Sequence, residues 1–390
     1  MRVVIVGGGF GGVRSAIKLA NKPGFDVKLI ASQSYFEYHA ALYRSATGRS
    51  PLEVAIPLRD FFAFAKNVEV VEDRAAGLSA NERTLVGASG SIYPYDTLIL
   101  ALGNVTEFYG IKGLEEYAYG VKTINEALRL KRHLHEQLIA KNTDKHYVVV
   151  GAGATGVELA AELTAYIKKL RKKHGISDRF SVDLVEAGPR LLGLMPASFS
   201  RRAERRLKHH DVTMYLNTPV KSEDIDSLHL PNGEIRSHTV IWTAGVTNNP
   251  FFAKFPDVFK LGKSNRVAVD GYLSAAPGIY VIGDSADTVY SGMAQTALHD
   301  ANFVAENLLR QARGQASLAY APKKPIYAIP VGPRWAMVLW GKVQLQGRVG
   351  WILRRLADLR LYLNFLPLRK ALITWKYGFK YEEICPICKQ

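Results

Sequence analysis

An α/β protein with two parallel-sheet units and an amphipathic helical C-terminal region is predicted from three observations. Met1 to Gly12, MRVVIVGGGFGG, is a short apolar strand that runs into Gly-x-Gly-x-x-Gly and then a helix. His146 to Glu158, HYVVVGAGATGVE, repeats that plan. Ile352, Leu356, Leu359, Leu363 and Leu366 recur at spacings of four and three, which is one stripe of a helix. In the glycine motifs, Gly7 and Gly151 allow a tight turn, and Gly9 and Gly153 let backbone approach a pyrophosphate. Gly12 and Gly156 let helix and strand pack closely, so that amide N–H groups and the helix dipole face phosphates. One such motif is weak evidence. Two, each between a strand and a helix, indicate two dinucleotides held by one chain.

A chain of 390 residues has material for two or three domains, and 48% apolar with 22% charged residues describes a folded protein. The net charge of +16 is concentrated late: Ala321 to Gln390 holds thirteen Lys or Arg against three Asp or Glu. That surplus suits an anionic membrane surface, nucleic acid, or solubility alone. Only Cys385 and Cys388 occur, so there is no disulfide framework, as expected in a reducing compartment. Met1 leads directly into a strand, so no signal peptide is expected. No stretch approaches the ~20 apolar residues of a spanning helix.

In chain order, Val13 to Leu19 continue the first helix up to Pro23-Gly24, and Asp26 to Ile30 is the next strand. An acidic residue is expected at its end to hold an adenosine ribose, but Ala31-Ser32 stand there. Val68 to Glu72 and Thr84 to Val86 read as short strands of a meander, and Tyr95 to Gly103 as a buried strand with a small-residue turn. Glu126 to Ala140 has helical spacing. In the second unit a helix from Val157 continues through Lys168 to Lys173, and Ser181 to Val185 ends in Glu186. That carboxylate suits ribose hydroxyls and would repel a 2′-phosphate, although a surface carboxylate at a strand end reads the same way. Thr239 to Gly245 mirrors the earlier buried strand, and Gly278 to Asp284 delivers a carboxylate to a carboxyl edge, where ligands sit in open α/β sheets. Pro367 interrupts the tail, and Trp375, Tyr377 and Phe379 follow among Lys376 and Lys380. An apolar stripe flanked by basic and aromatic residues describes a helix lying in a membrane interface; the bland reading is a stripe docked on the body.

With both fingerprints and this tail, the chain resembles the type II NADH:quinone oxidoreductases nearly end to end. Leu42 to Gly48 (LYRSATG), Ile56 to Arg59, Gly156-Val157-Glu158, Gly283-Asp284 and Ala294 to Ala297 carry the likeness, with Leu363 to Tyr381 similar to that family's membrane-binding helices. The resemblance implies a glutathione-reductase-like FAD/NAD(P)-binding fold. It also implies FAD as cofactor, NADH as co-substrate, and a membrane quinone (ubiquinone or menaquinone) as acceptor. Boundaries of 1–120 with 245–330 for FAD, 121–244 for NADH, and 331–390 for the membrane-interface region are expected. The matched cofactor positions are Gly7, Gly9, Phe10, Gly11, Gly12, Ser32, Thr47, Ala101, Gly103, Gly283, Asp284 and Ala294 for FAD. For NADH they are Gly151, Gly153, Thr155, Gly156, Glu158, Glu186 and Gly245. Asp284 would accept from ribityl hydroxyls, or cap the next helix. Glu158 would lie against the nicotinamide ribose, or merely answer the helix dipole in the first turn.

Gln295 and His299 share a helix face, and with Asp300 are the expected quinone-side residues. With Glu158, Gln295 and His299 are the catalytic candidates, His299 as a proton source near neutral pH. Four departures stand out: Ala31 for the acidic ribose ligand, His299-Asp300 for a pair of amides, Val331-Gly332 for Lys-Gly, and a terminal Cys-Pro-Ile-Cys. Thiol chemistry beside a flavin needs cysteines near it, and none precedes Cys385. No metal site or nucleic acid is expected, and the terminal cysteines read as inert, a redox pair, or half of a zinc site. Expected partners are NADH, quinone and an anionic lipid surface at the cytoplasmic face of the cell membrane, with room for a homodimer. A soluble NADH-dependent flavoprotein reductase using a protein carrier or oxygen, and a non-enzymatic NADH-sensing flavoprotein, stay open as alternatives.

Overall fold

The computed structural model of the chain describes residues 1–262 and 265–382. Cys385 and Cys388 lie outside the described residues. The chain forms two compact units: Met1–Tyr38 with Ala55–Val105 and Val246–Pro325, and His39–Val54 with Thr106–Gly245 and the chain from Ile326 onward. The division differs from the expected boundaries in three main respects. The segment His39–Val54 and residues 106–120 leave the first unit, and the C-terminal region is part of the second unit rather than a separate body.

The first unit is built on a six-stranded sheet in the order Ser274–Ala276, Ile279–Val281, Thr97–Leu100, Arg2–Val6, Asp26–Ala31, Val68–Glu72. Only the first pair is antiparallel. Strands covered on both faces read as continuous apolar runs, which is why Val3 to Val6 and Leu98 to Leu100 carry no polar residue. Val6 stands opposite Ile30 on one side and Leu100 on the other. The turn after Val6 therefore emerges mid-sheet at the carboxyl edge. Helix Phe10–Leu19 lies along helix Ala294–Ala312, with Arg14 Nε donating to Asn302 Oδ1 at 2.8 Å.

The second unit repeats the plan with four parallel strands in the order Val212–Tyr215, Ser181–Val185, His146–Val150, Val240–Trp242. Helix Ala154–Lys173 follows the central strand and starts earlier than Val157, because Gly153 is its N-cap. Helix Ile124–Ile139 precedes that strand and begins in a capping box: Thr123 Oγ1 accepts from Glu126 N–H at 3.2 Å, and the Glu126 carboxylate accepts from Thr123 N–H at 3.1 Å. An antiparallel sheet of Tyr327–Pro330, Ala336–Trp340 and Val343–Gly347 leads into helices Arg348–Phe365 and Leu368–Tyr377. Pro367 is the N-cap of the last helix, so the interruption read from the sequence is a helix-to-helix corner.

Helix Arg348–Phe365 is inverted in polarity. Its apolar residues Ile352, Leu356 and Leu363 are 49%, 49% and 44% exposed, while Arg354, Arg355 and Asp358 are buried. The charged face docks, and the leucine stripe is exposed at Ile352, Leu356 and Leu363, half-buried at Leu359 and buried at Leu366. A buried ion knot makes this affordable. Asp358 accepts from Arg44 Nη1 at 2.9 Å, from Arg355 Nη1 at 3.1 Å, and from Arg354. Glu53, fully buried, accepts from Arg44 at 2.7 Å and Arg355 at 2.6 Å. Arg354 also donates to the Ala40 carbonyl at 3.0 Å, and Tyr362 OH to the Glu53 carbonyl at 3.0 Å. These bonds tie His39–Val54 and the C-terminal helices into one unit, which explains those two boundary differences.

Candidate functional site

Both glycine turns have the geometry of a dinucleotide cradle. In the first unit Gly7 has φ +121°, and a Cβ there would lie 2.2 Å from the Ala101 carbonyl oxygen. A Cβ on Gly12 would lie 1.9 Å from the Gly7 carbonyl oxygen, whereas one on Gly9 would meet nothing within 4 Å. The second unit repeats the pattern: Gly151 is blocked by Ala244 Cα at 2.6 Å, Gly156 by Gly151 O at 1.8 Å, and Gly153 is open. The first and third glycines are thus required by packing. The middle one is the N-cap of a helix with no side-chain cap hydrogen bond, and its own Cβ position faces open space at the helix N-terminus. These residues fit two bound pyrophosphates.

Around the first cradle, Gly11 packs against Ile282 and Ala101, and buried Phe10 meets Phe36 and Tyr38 edge-on at 5.0 and 5.8 Å. Ala31 is buried beneath Gly8 at the place where an acidic ribose ligand was expected, and Ser32 beside it is exposed. Asp284 sits half-buried in the short turn Gly283–Ser285 and accepts from Asn104 Nδ2 at 2.9 Å. It does not cap the following helix, which begins at Ala294 with Met293 as N-cap. Ser285 Oγ donates to the Gly103 carbonyl at 2.9 Å, joining the two small-residue turns at one sheet edge. Thr47 falls in the second unit, where its hydroxyl donates to the Tyr43 carbonyl at 2.8 Å.

Around the second cradle, Glu186 is more than a surface carboxylate. Its two oxygens accept from Ala152 N–H and Gly188 N–H, each at 2.7 Å, which fixes it against the glycine turn. A carboxylate has about four lone-pair sites, so it retains capacity for ribose hydroxyls. Thr155 is exposed in the first turn of the helix, and Gly245 packs under Glu107 and Tyr109 with its carbonyl accepting from Glu107 N–H at 3.1 Å. Because that helix starts at Ala154, Glu158 lies beyond the first turn, so the dipole reading does not apply to it. Glu158 is buried, and burial pushes its carboxyl up to about 8 against the pull of Arg354 and Arg44. At neutral pH it therefore holds a proton.

The expected quinone-side residues separate. Gln295 is exposed, and His299 is half-exposed with Nε2 at 2.8 Å from the Ala321 carbonyl. A carbonyl only accepts, so Nε2 carries the hydrogen and Nδ1 is left to take up a proton. Asp300, also expected on the quinone side, is fully buried. It accepts from Gly283 N–H at 3.0 Å and Tyr320 OH at 2.6 Å, bracing the turn that carries Asp284. Burial raises its carboxyl above the ordinary range. Adjacent helical residues diverge in direction, so His299 and Asp300 do different work.

The sequence reading missed Glu53 and the role of Arg44, Arg354, Arg355 and Asp358 beside Glu158. A signal was present: Arg354, Asp358, Tyr362 and Phe365 form a second stripe at spacings of four, four and three, opposite the leucines.

Comparison with known proteins agrees with this geometry. The pyridine nucleotide-disulphide oxidoreductase model matches residues 1–301. The type II NADH:quinone oxidoreductase Ndh of Mycobacterium tuberculosis is 29% identical, covering 97% of this chain and 88% of that protein. Among solved structures, NDH2 from Plasmodium falciparum in complex with NADH is similar with a TM-score of 0.87 at 18% identity, over 97% of each chain. The sulfide:quinone oxidoreductase of Aquifex aeolicus is similar with a TM-score of 0.79 at 21% identity, over 93% of this chain and 90% of that one. At these identities the structural likeness speaks for the fold, and the match over residues 1–301 settles the family. Two cradles of one design on two parallel sheets are what such a fold requires, and the chain belongs to the pyridine nucleotide-disulphide oxidoreductase family.

Proposed function

We propose that the chain is a type II NADH:quinone oxidoreductase: a peripheral membrane flavoenzyme that takes a hydride from NADH and delivers two electrons to ubiquinone or menaquinone, without pumping protons. The observation that carries this reading is the pair of open-centred glycine cradles, in a chain aligned over 97% of its length with a relative named for that activity. Thiol-based alternatives are disfavoured because no cysteine precedes Cys385.

FAD, when bound, supplies the two-electron chemistry between NADH and quinone. In this reading the N-terminus of helix Phe10–Leu19 receives its pyrophosphate, and Asp284 accepts from its ribityl hydroxyls, steadied by Asn104. Gly153 admits the NADH pyrophosphate, and Glu186 accepts from the ribose hydroxyls and repels a 2′-phosphate. Glu158 holds a proton at its carboxyl below about pH 8, and His299 Nδ1 is a second proton carrier for quinol formation. Gln295, exposed one helical turn before His299, orients the quinone carbonyl.

No helix among the described residues is long and apolar enough to cross a membrane. Attachment at the cytoplasmic face through the exposed apolar side chains of the C-terminal helices and an anionic lipid surface is part of this proposal. The test is steady-state NADH oxidation by the flavin-loaded protein with a short-chain quinone, and separately with ferricyanide. Turnover with both is expected. Ferricyanide turnover with no quinone turnover would instead assign a soluble reductase serving a protein carrier or oxygen.

A further inference from the structure

The second unit carries a basic cluster that neither cradle uses. Helix Ala197–His209 contributes Arg202, Arg205, Arg206 and His209 to a groove of about 300 Å³, completed by Trp335 and Gln346 of the antiparallel sheet. No carboxylate lines it. The helix has a single acid, Glu204, and Lys208 engages it at 2.9 Å. Arg206 is held in place: Nε donates to the Val331 carbonyl at 3.3 Å, and its guanidinium lies over the Trp335 ring, 5.3 Å from the centroid. Arg205 Nε donates to the Arg201 carbonyl at 3.4 Å. Beside them, burial and Arg206 push the His210 imidazole down to about 4, in keeping with a strongly positive surround.

Several guanidinium forks around an indole, with no acid to neutralise them, match a phosphodiester: planar donors bind its oxygens in pairs. The same sheet indicates where the phosphate comes from. Gln346 pairs with Met337 near the groove, and three positions along the ladder Trp340 pairs with Val343 at the hairpin tip. Those tip residues are 63% and 55% exposed. Groove and tip are therefore roughly 10 Å apart along the strands. An interfacial element sinks about 5–10 Å into the headgroup boundary, so Trp340 and Val343 at that depth, with exposed Lys342 of the turn reaching back to the headgroups, leave the arginines at phosphate level.

We propose that this groove binds the phosphodiester headgroup of an anionic phospholipid and so fixes the second unit on the bilayer. The inference rests on the C-terminal region facing the membrane, and the test separates the two ideas. Full-length, flavin-loaded protein is sedimented with vesicles of phosphatidylcholine alone and with vesicles that also contain phosphatidylglycerol. Wild type should bind the phosphatidylglycerol vesicles at least about tenfold more tightly, as expected for two or more basic residues near an anionic surface. The R202Q/R205Q variant should lose most of that increment while keeping its binding to phosphatidylcholine and its ferricyanide turnover. An unchanged increment in the variant would overturn the proposal. So would competition by millimolar inorganic phosphate, or capture of a duplex oligonucleotide that the variant loses, since each assigns the groove another occupant. Wild type that binds neither vesicle would remove the membrane reading itself, and this proposal with it.

Discussion

At the residue scale the proposed chemistry rests on carboxyl groups held in different surroundings. Glu158 is buried and titrates near 8, opposed by Arg354 and Arg44; Glu186 is fixed at a cradle by two backbone N–H groups. Replacing Glu158 by Gln removes the proton but keeps the shape. Quinone turnover is expected to fall about 10²-fold, the usual size of a lost general acid, while ferricyanide turnover persists. The wild-type decline in quinone turnover as pH rises through about 8 should vanish in the same variant, and equal losses with both acceptors would contradict the role. Glu186→Gln keeps one acceptor oxygen for the glycine turn and loses the charge. The NADH preference over NADPH should then shrink about tenfold, the effect of roughly one repelled charge, as read from the two kcat/KM values. An unchanged ratio would show that another group selects the cofactor.

At the scale of elements, the two cradles and the inverted helix make separable predictions. Gly153 has φ −68° and open space at its Cβ position, so Gly153→Ala should fold normally yet raise KM for NADH, because the methyl stands where the pyrophosphate approaches. Gly156→Ala forces a Cβ against the Gly151 carbonyl oxygen and should lower stability as well. Thermal unfolding of the two variants distinguishes them. In helix Arg348–Phe365, Asp358→Ala removes the acceptor shared by Arg44, Arg354 and Arg355 and should cost about 3–5 kcal/mol in denaturant unfolding. The exposed pair Leu356→Asp with Leu363→Asp should leave stability alone and move the protein from the membrane pellet to the supernatant. Continued sedimentation of that variant would count against the anchor.

At the scale of the whole molecule, the cores of the two parallel sheets, both glycine turns and the acidic residue at the second strand end were legible in the sequence, because each is a local pattern of apolar runs, glycines and one carboxylate, whereas the antiparallel sheet of Tyr327–Pro330, Ala336–Trp340 and Val343–Gly347 was not. What sequence did not reveal depended on distant partners. Arg354, Arg355 and Asp358 lie off the leucine stripe in the sequence, and it is partners such as Glu53 and Arg44, some three hundred positions earlier, that make their face a buried one. The bonds of Asp300 to Gly283 and Tyr320, which hold it inward, were likewise not legible. Burial of Glu158 and Glu223, each pushed up to about 8, also has a global consequence. Their ordinary value is 4.5, so between that pH and about 8 the folded chain holds protons that the unfolded chain releases. These groups therefore make stability fall as pH rises across that window. Urea unfolding at several pH values should show the slope, and Glu158→Gln should flatten part of it.

The central claim is that the two cradles pass electrons from NADH through FAD to a quinone. Anaerobic stopped-flow of the flavin-loaded protein tests it most directly. Mixing with NADH should bleach the flavin absorbance, and a second mix with a short-chain quinone should restore it at a rate no slower than steady-state turnover. A flavin that NADH never bleaches, or that stays bleached in the presence of quinone, would contradict the account.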